Sequence, residues 1–318
     1  MNEHSAALQS EYNLIVKNIS QTEGGWSALA YKVESDQGVY FLKVYEKNKR
    51  CTALLLNKLS LSMAVSSWLD NNTELSGRII APLLTRSGNI KYETSDYVYL
   101  LFPYINGVTQ RGNPLSVYQQ EELAEIVGEL HRHGADIPLD LSGSKETFEI
   151  PCNELLTIPY KSNDSLCLYK HRDMLMRIIE RKQIFAEYIK SENPPFVLCH
   201  TDIHGWNLMQ SDSLILIDWE SIKFAPAEAD LYSVWGDWYW GNLKWGSYWE
   251  SFLPVYQKTR PEYEVREDFL RFYQIRRHIE DINEFYIQYL YDDMTEEETR
   301  EVISEMEREC NFLNTLTY

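Results

Sequence analysis

A chain of 318 residues with 44% apolar content is long enough for two domains, or one large domain with two lobes, and needs no disulfide to hold its core. Its 48 acidic against 30 basic residues leave a formal net charge of −18, which argues against a nucleic-acid backbone or an anionic membrane as partner. Such a balance suits a cationic small molecule, although a solvated acidic surface is its commoner meaning.

The first residues, "MNEHSAALQSEY", lack the basic start and apolar run of a signal peptide, and no run of about 18 apolar residues follows. The five cysteines, Cys51, Cys152, Cys167, Cys199 and Cys310, are never spaced CxxC. A thiolate zinc site is therefore excluded, and a reducing, cytoplasmic setting is expected.

From Tyr12 to Tyr45 three runs rich in β-branched and aromatic residues, "YNLIVKNIS", "ALAYKVES" and "VYFLKVYE", predict a three-stranded meander. Between the first two, "TEGGWSA" carries Gly24 and Gly25, which would let backbone N–H groups approach a phosphate; a plain hairpin turn is the ordinary alternative. Lys43 interrupts the third run, where the ordinary alternative is a lysine on the solvent side of an edge strand. The period then changes: Thr52 to Leu69 reads as a helix, followed by strand candidates "GRIIAPLL" and "DYVYLLFPYI".

Beyond a hinge at about 102–108, "SVYQQEELAEIVGELHRHG" has helical spacing, with Gly134 as the expected C-cap. The chain is mostly helical in pattern to about Glu192, apart from an irregular stretch over 138–164. In "VLCHTDIHGWNLMQSDSLILIDWE" two short strands, "FVLC" and "LILI", flank a polar loop, with "QSDS" as the hairpin turn. After Pro226 the pattern is helical to "TEEETREVISEMERECNFL", whose acidic first turn suits a helix start. These elements predict an α+β fold: a small β-rich lobe over 1–104 and a larger helical lobe over 105–318.

The loop after "FVLC" holds His200, Asp202, His204 and Asn207, and Asp218 follows the second strand. Three readings compete: a metal-dependent phosphoryl-transfer site, another His/Asp metal site, or a β-hairpin with a polar approach. Phosphoryl transfer from ATP needs a carboxylate to orient and deprotonate the acceptor hydroxyl, hard oxygen ligands for Mg²⁺, and a cation on the phosphates. Asp202 and Asn207 can reach one point from a curved loop, Asp218 can return to it, and Lys43 can supply the cation. A hydrolase using His200, Asp202 and His204 lacks further ligands nearby.

The order of Gly-rich turn, strand lysine, "LFPYINGVT", "HTDIHGWN" and "LILIDWE" resembles the aminoglycoside phosphotransferase and choline kinase superfamily, cousins of the protein kinases. "HTDIHGWN" matches its HxDxxxxN catalytic loop. "IDWESIKFAPAEADLYSVWG" and "YQIRRHIEDINEFY" look closest to the spectinomycin phosphotransferase branch, where antibiotic resistance is the implied role. The resemblance implies a bilobal protein-kinase-like fold and ATP and Mg²⁺ as cofactors. It further implies Asp202 as catalytic base, Asn207 and Asp218 as metal ligands, and Lys43 on the α and β phosphates. The hinge backbone of Phe102, Tyr104 and Ile105 would hold adenine, and Asp230 would be structural. His200 and His204 read as loop scaffolding. One departure stands out: kinase-like folds pair the strand lysine with a glutamate on the first helix, and Thr52 to Leu69 contains none.

The acceptor is expected to be a small, cationic molecule such as an aminocyclitol, with a choline-like amine, amino alcohol or sugar as alternatives. "LYSVWGDWYWGNLKWGSYW" gathers Trp235, Trp238, Trp240, Trp245 and Trp249 around Asp237, and aromatic faces beside an acid can hold an amine. Helix packing is the ordinary role of most of them. Glu280, Asp281 and Glu284 could add acids, although a charge run on a helix is usually a solvated face. A nucleotide-binding protein without kinase activity would also account for the missing helix glutamate, but leaves Asp202, Asn207 and Asp218 together without a purpose.

Overall fold

The computed structural model describes residues 3–22, 28–111, 113–158, 168–235, 237–240, 243–246 and 248–316. Their contacts form two compact units: Met1–Lys145 with Val197–Ala225 and Ser233–Tyr263, and Glu146–Phe196 with Pro226–Tyr232 and Glu264–Tyr318.

The first unit opens with a helix that the sequence pattern does not announce, α1 (Glu3–Tyr12), which buries only Ser5, Ala7 and Leu8. Three positions make no readable stripe at helical spacing. The expected meander follows as β1 (Val16–Thr22), β2 (Leu29–Ser35) and β3 (Val39–Glu46). The helix α2 (Arg50–Asn72) leads to β4 (Tyr92–Glu93) and β5 (Tyr97–Pro103), and the strands form one antiparallel sheet ordered β1-β2-β3-β5-β4. Alternation along β3 divides its two faces. Leu42 and Val44 join Ala7, Leu8, Val33, Tyr99 and Leu101 in a core. Lys43 and Tyr45 therefore point from the other face, where Lys43 lies opposite Ala30 and Leu100, and Phe41 opposite Phe102.

"GRIIAPLL" forms no strand. It makes an isolated bridge, Ile79 to Leu216, and Leu83 N donates to Leu101 O at 2.7 Å, while Pro82 brings no N–H to a ladder. After β5 the chain passes Gly107 into β6 (Val108–Thr109), which pairs with β8 (Leu208–Gln210). A Cβ on Gly107 would sit 2.6 Å from the Gln210 carbonyl oxygen, so no side chain fits without moving backbone. Gly107→Ala should destabilise the fold by about 1–3 kcal/mol, the usual range for overpacking, read as a lower denaturation midpoint with unchanged slope.

The helix α3 (Val117–Leu130) starts at a capping box between Ser116 and Gln119 and ends at Leu130, short of the expected Gly134 cap. Gly134 instead lies against the Phe224 ring, which a Cβ there would meet at 2.6 Å. The "FVLC" strand, β7 (Val197–Cys199), pairs with β10 (Lys223–Ala225) and not with "LILI". The "QSDS" turn joins β8 to β9 (Leu214–Leu216). The polar residues between β7 and β8 form a loop of their own, too long for the turn of a hairpin. A second hairpin, β11 (Asp237–Trp240) with β12 (Leu243–Gly246), and α6 (Trp249–Thr259) complete the unit, and His131 Nδ1 on the α3 cap meets Tyr256 OH at 2.8 Å.

The second unit is helical, with α4 (Leu168–Glu192), α7 (Glu267–Tyr291) and α8 (Glu296–Thr315), while α5 (Glu228–Trp235) runs across the unit boundary. Thr295 caps α8 through a box with Glu298. Among the described residues no helix is long and apolar enough to cross a membrane, and the buried Cys152, Cys199 and Cys310 are in no disulfide.

Candidate active site

The loop between β7 and β8 is built by its histidines. His200 Nδ1 accepts from Asp202 N at 3.3 Å, so its Nε2 donates to Ile217 O at 3.0 Å, and its ring packs edge-on against Trp219 at 4.9 Å. His204 likewise accepts from Trp206 N at Nδ1, 3.2 Å, and turns Nε2 toward Asp202 Oδ1 at 3.3 Å. These are scaffolding contacts to backbone and carboxylate. Thr201, between His200 and Asp202, sits at φ 66° with its hydroxyl donating to Ser221 O at 2.6 Å. A β-branched residue held in the left-handed region is a strained one.

Asn207 follows in a short 3₁₀ turn and donates Nδ2 to Asp202 O at 2.9 Å and to Asp202 Oδ2 at 2.8 Å. Its amide oxygen is thus the end that remains for a cation. Its backbone oxygen accepts from Ile217 N at 2.9 Å, which brings the start of the "IDWE" segment back to the loop. Asp218 is itself left-handed, φ 67° and ψ 62°, at the start of a 3₁₀ turn over Trp219–Ser221. Trp219 is buried below it, with Nε1 donating to Leu216 O at 3.0 Å.

Lys43 reaches this segment from β3. Its Nζ lies 2.9 Å from Asp218 Oδ1 and 2.6 Å from Glu220 Oε1. Tyr45, next on the same strand face, donates its hydroxyl to the same Glu220 oxygen. Burial works to lower the Lys43 pKa, and the charges of Asp218 and Glu220 overcome it, so the ammonium is held above its ordinary range. Burial and then the Asp218 charge push the Glu220 carboxyl up, while Lys43 and Tyr45 pull against them. The structure thus joins Asp202, Asn207, Asp218 and Lys43 through direct bonds and one backbone link. Glu220, read only as the end of a motif, is the residue that sequence reasoning missed. Its signal was present: a glutamate directly after Asp218-Trp219, in a chain whose helix after β3, α2, holds none.

The other expected site residues fall as follows. Phe102 is buried on the Lys43 face of the sheet; Tyr104 is exposed, with Lys32 Nζ 5.2 Å from its ring centre, and Ile105 is half-buried. Gly24 and Gly25 lie outside the described residues. Asp237 and Trp238 belong to β11, and their side chains also lie outside what is described. Glu280 and Asp281, on α7, are each taken by an arginine one turn upstream. Arg276 Nε bonds Glu280 at 2.8 Å and its Nη1 bonds Glu146 at 2.8 Å, and Arg277 Nε lies 2.8 Å from Asp281. Their charges are answered within the second unit.

Residues 18–269 match the family described as the phosphotransferase enzyme family (APH). Protein StrN of Streptomyces griseus is 23% identical over 225 residues, 66% of this chain and 64% of that protein, so the chain spans a little under two thirds of that curated relative's length. Among solved structures, spectinomycin phosphotransferase APH(9)-Ia with ADP and spectinomycin aligns at TM-score 0.73 and 18% identity, covering 98% of this chain and 97% of that one. Choline kinase LicA from Streptococcus pneumoniae aligns at TM-score 0.59 and 15% identity, covering 98% of each chain. Structural likeness at these identities carries the fold, an N-terminal antiparallel sheet with a mainly helical C-terminal part, as in the protein-kinase-like phosphotransferases. The family match spans most of the chain, which belongs to the phosphotransferase enzyme family.

Proposed function

We propose that the protein transfers the γ-phosphoryl group of Mg·ATP to a hydroxyl of a small cationic molecule, with an aminocyclitol such as spectinomycin as the first candidate. The observation that carries this reading is the linked set of Lys43, Asp218, Asn207 and Asp202, a cation, two hard-oxygen ligands and a base on adjoining segments. ADP and spectinomycin in the APH(9)-Ia structure support the choice of ligands.

The donor set suits Mg²⁺: one carboxylate at Asp218 and the Asn207 amide oxygen, left over once Asp202 takes the nitrogen. When held by Asp218 and Asn207, the ion would supply positive charge against the charge developing on the phosphates. Lys43 would place its ammonium on the α and β phosphates, and the backbone of Phe102 to Ile105 would hold adenine. Asp202 is oriented by Asn207 Nδ2 on one oxygen and His204 Nε2 on the other. As the acceptor oxygen forms its bond to the γ-phosphorus and the bond to the β-phosphate oxygen breaks, the hydroxyl proton passes to Asp202.

The net charge of −18 favours a cationic acceptor, because a field of that sign concentrates cations near the protein. Asp237 and Trp238 remain candidates to meet the amine. A coupled ADP-release assay over a panel of hydroxylated amines, neutral sugars and anionic metabolites tests the reading: Mg²⁺-dependent turnover with an amine is expected. The acceptor KM should rise with ionic strength, since exposed charges are screened over about 8–10 Å near physiological salt. A preferred neutral or anionic acceptor, or a salt-independent KM, would remove the electrostatic argument.

A further inference from the structure

The helix that follows β3, α2, brings no glutamate to Lys43. The residues of α2 are RCTALLLNKLSLSMAVSSWLDNN, with Asp70 in the last turn as the only acid. What α2 does supply is Ser62, whose hydroxyl donates to the Glu220 backbone oxygen at 3.1 Å. The helix grips the segment that carries an acid, where a kinase-like helix would carry the acid itself.

Two carboxylates meet Lys43, and their surroundings differ. The Asp218 side chain is 27% exposed, and apart from Lys43 no other described group holds its carboxylate. The Glu220 side chain is 6% exposed, and the oxygen that meets Lys43 also accepts from Tyr45. Lys43 and Tyr45 alternate on one face of β3, so a single strand presents both donors to one oxygen. Asp218 is free to turn to another cation; Glu220 is fixed through its backbone by Ser62 and through its carboxylate by Tyr45.

We infer that Glu220 is the permanent positioning partner of Lys43, taking the part of the absent helix glutamate, and that Tyr45 and Ser62 hold it in place. Resting on the Mg·ATP reading above, this gives the two acids separate tasks. Asp218 leaves the lysine when it takes up a metal ion, and Glu220 keeps the ammonium aimed without leaving the strand face. Without Glu220, recruiting Asp218 would strand a buried ammonium, and the lysine would follow Asp218 or swing away.

A double-mutant cycle tests this. Purified wild type, Glu220→Gln, Lys43→Ala and the double variant are compared for Mg·ATP affinity by calorimetry and for kcat and both KM values with the best acceptor. Glu220→Gln should lower kcat/KM for ATP by about 10²-fold, the scale of a misplaced positioning group, and leave the acceptor KM unchanged. In the Lys43→Ala background the same substitution should add nothing further, because Glu220 acts only through that lysine. Tyr45→Phe should show a smaller loss of the same pattern, and it carries the test if Glu220→Gln does not fold.

Losses that multiply in the double variant, or a raised Mg²⁺ requirement in Glu220→Gln, would assign Glu220 to the metal and overturn the inference. A Glu220→Gln enzyme matching a wild type that binds and turns over Mg·ATP would overturn the inference alone. Failure of the wild type to bind Mg·ATP would overturn both it and the reading on which it rests.

Discussion

Asp218→Ala should abolish turnover while the protein stays folded. Metal coordination supplies several kcal/mol of charge stabilisation, and at about 1.4 kcal/mol per decade its loss lowers kcat by roughly 10³-fold or more. Folding should survive because Lys43 keeps Glu220 as a partner at 2.6 Å. Alanine is not a neutral choice here, since residue 218 sits at φ 67° and a Cβ in the left-handed region costs about 1–2 kcal/mol where no side-chain hydrogen bond helps. Asp218→Asn separates the two effects, because asparagine tolerates that backbone and removes only the charge. Equal loss of turnover in both variants, with a melting temperature near wild type for Asp218→Asn, is the expected pair of results. Wild-type turnover in either would remove Asp218 from the metal site.

Asp202→Asn should lower kcat by about 10²–10⁴-fold, the usual contribution of a positioned general base, with Mg·ATP affinity retained. The shape is preserved, yet the substituted amide must turn its NH₂ toward one of two donors, Asn207 Nδ2 or His204 Nε2, in place of an acceptor. Some reorientation of the loop is therefore built into this variant, and it should appear in the acceptor KM before it appears in nucleotide binding. Isothermal titration with Mg·ATP beside steady-state kinetics separates the two. A collapse of nucleotide affinity along with the rate would mean that Asp202 serves the nucleotide, not the acceptor hydroxyl.

How far these groups could be read from sequence depended on how local their placement is. Asp202 and Asn207 share one loop, and Asp218 lies one short hairpin away, so spacing alone brought them near one another. Lys43 stood out because a solitary lysine interrupts an apolar strand, and alternation then set its face. Glu220 was not legible as its partner, since the contact joins residues far apart in the chain and depends on α2 gripping the Glu220 backbone through Ser62. The pairing of β7 with β10 was hidden for the same reason: a three-residue strand has no period that names its partner. The helix α1 escaped because it hides only two apolar side chains, Ala7 and Leu8, against a sheet, and "GRIIAPLL" misled because apolar β-formers say nothing of whether a neighbouring strand is there to pair with.

The most direct test of the phosphotransfer account is mass spectrometry of the acceptor itself. Spectinomycin, a choline-like amino alcohol and a neutral sugar are each incubated with the protein, ATP and Mg²⁺, in parallel with EDTA and with Asp202→Asn. The expected result is a single phosphoryl group on the cationic aminocyclitol, absent in both controls. ATP consumed with no phosphorylated amine, or product formed equally well in EDTA or by Asp202→Asn, would contradict it.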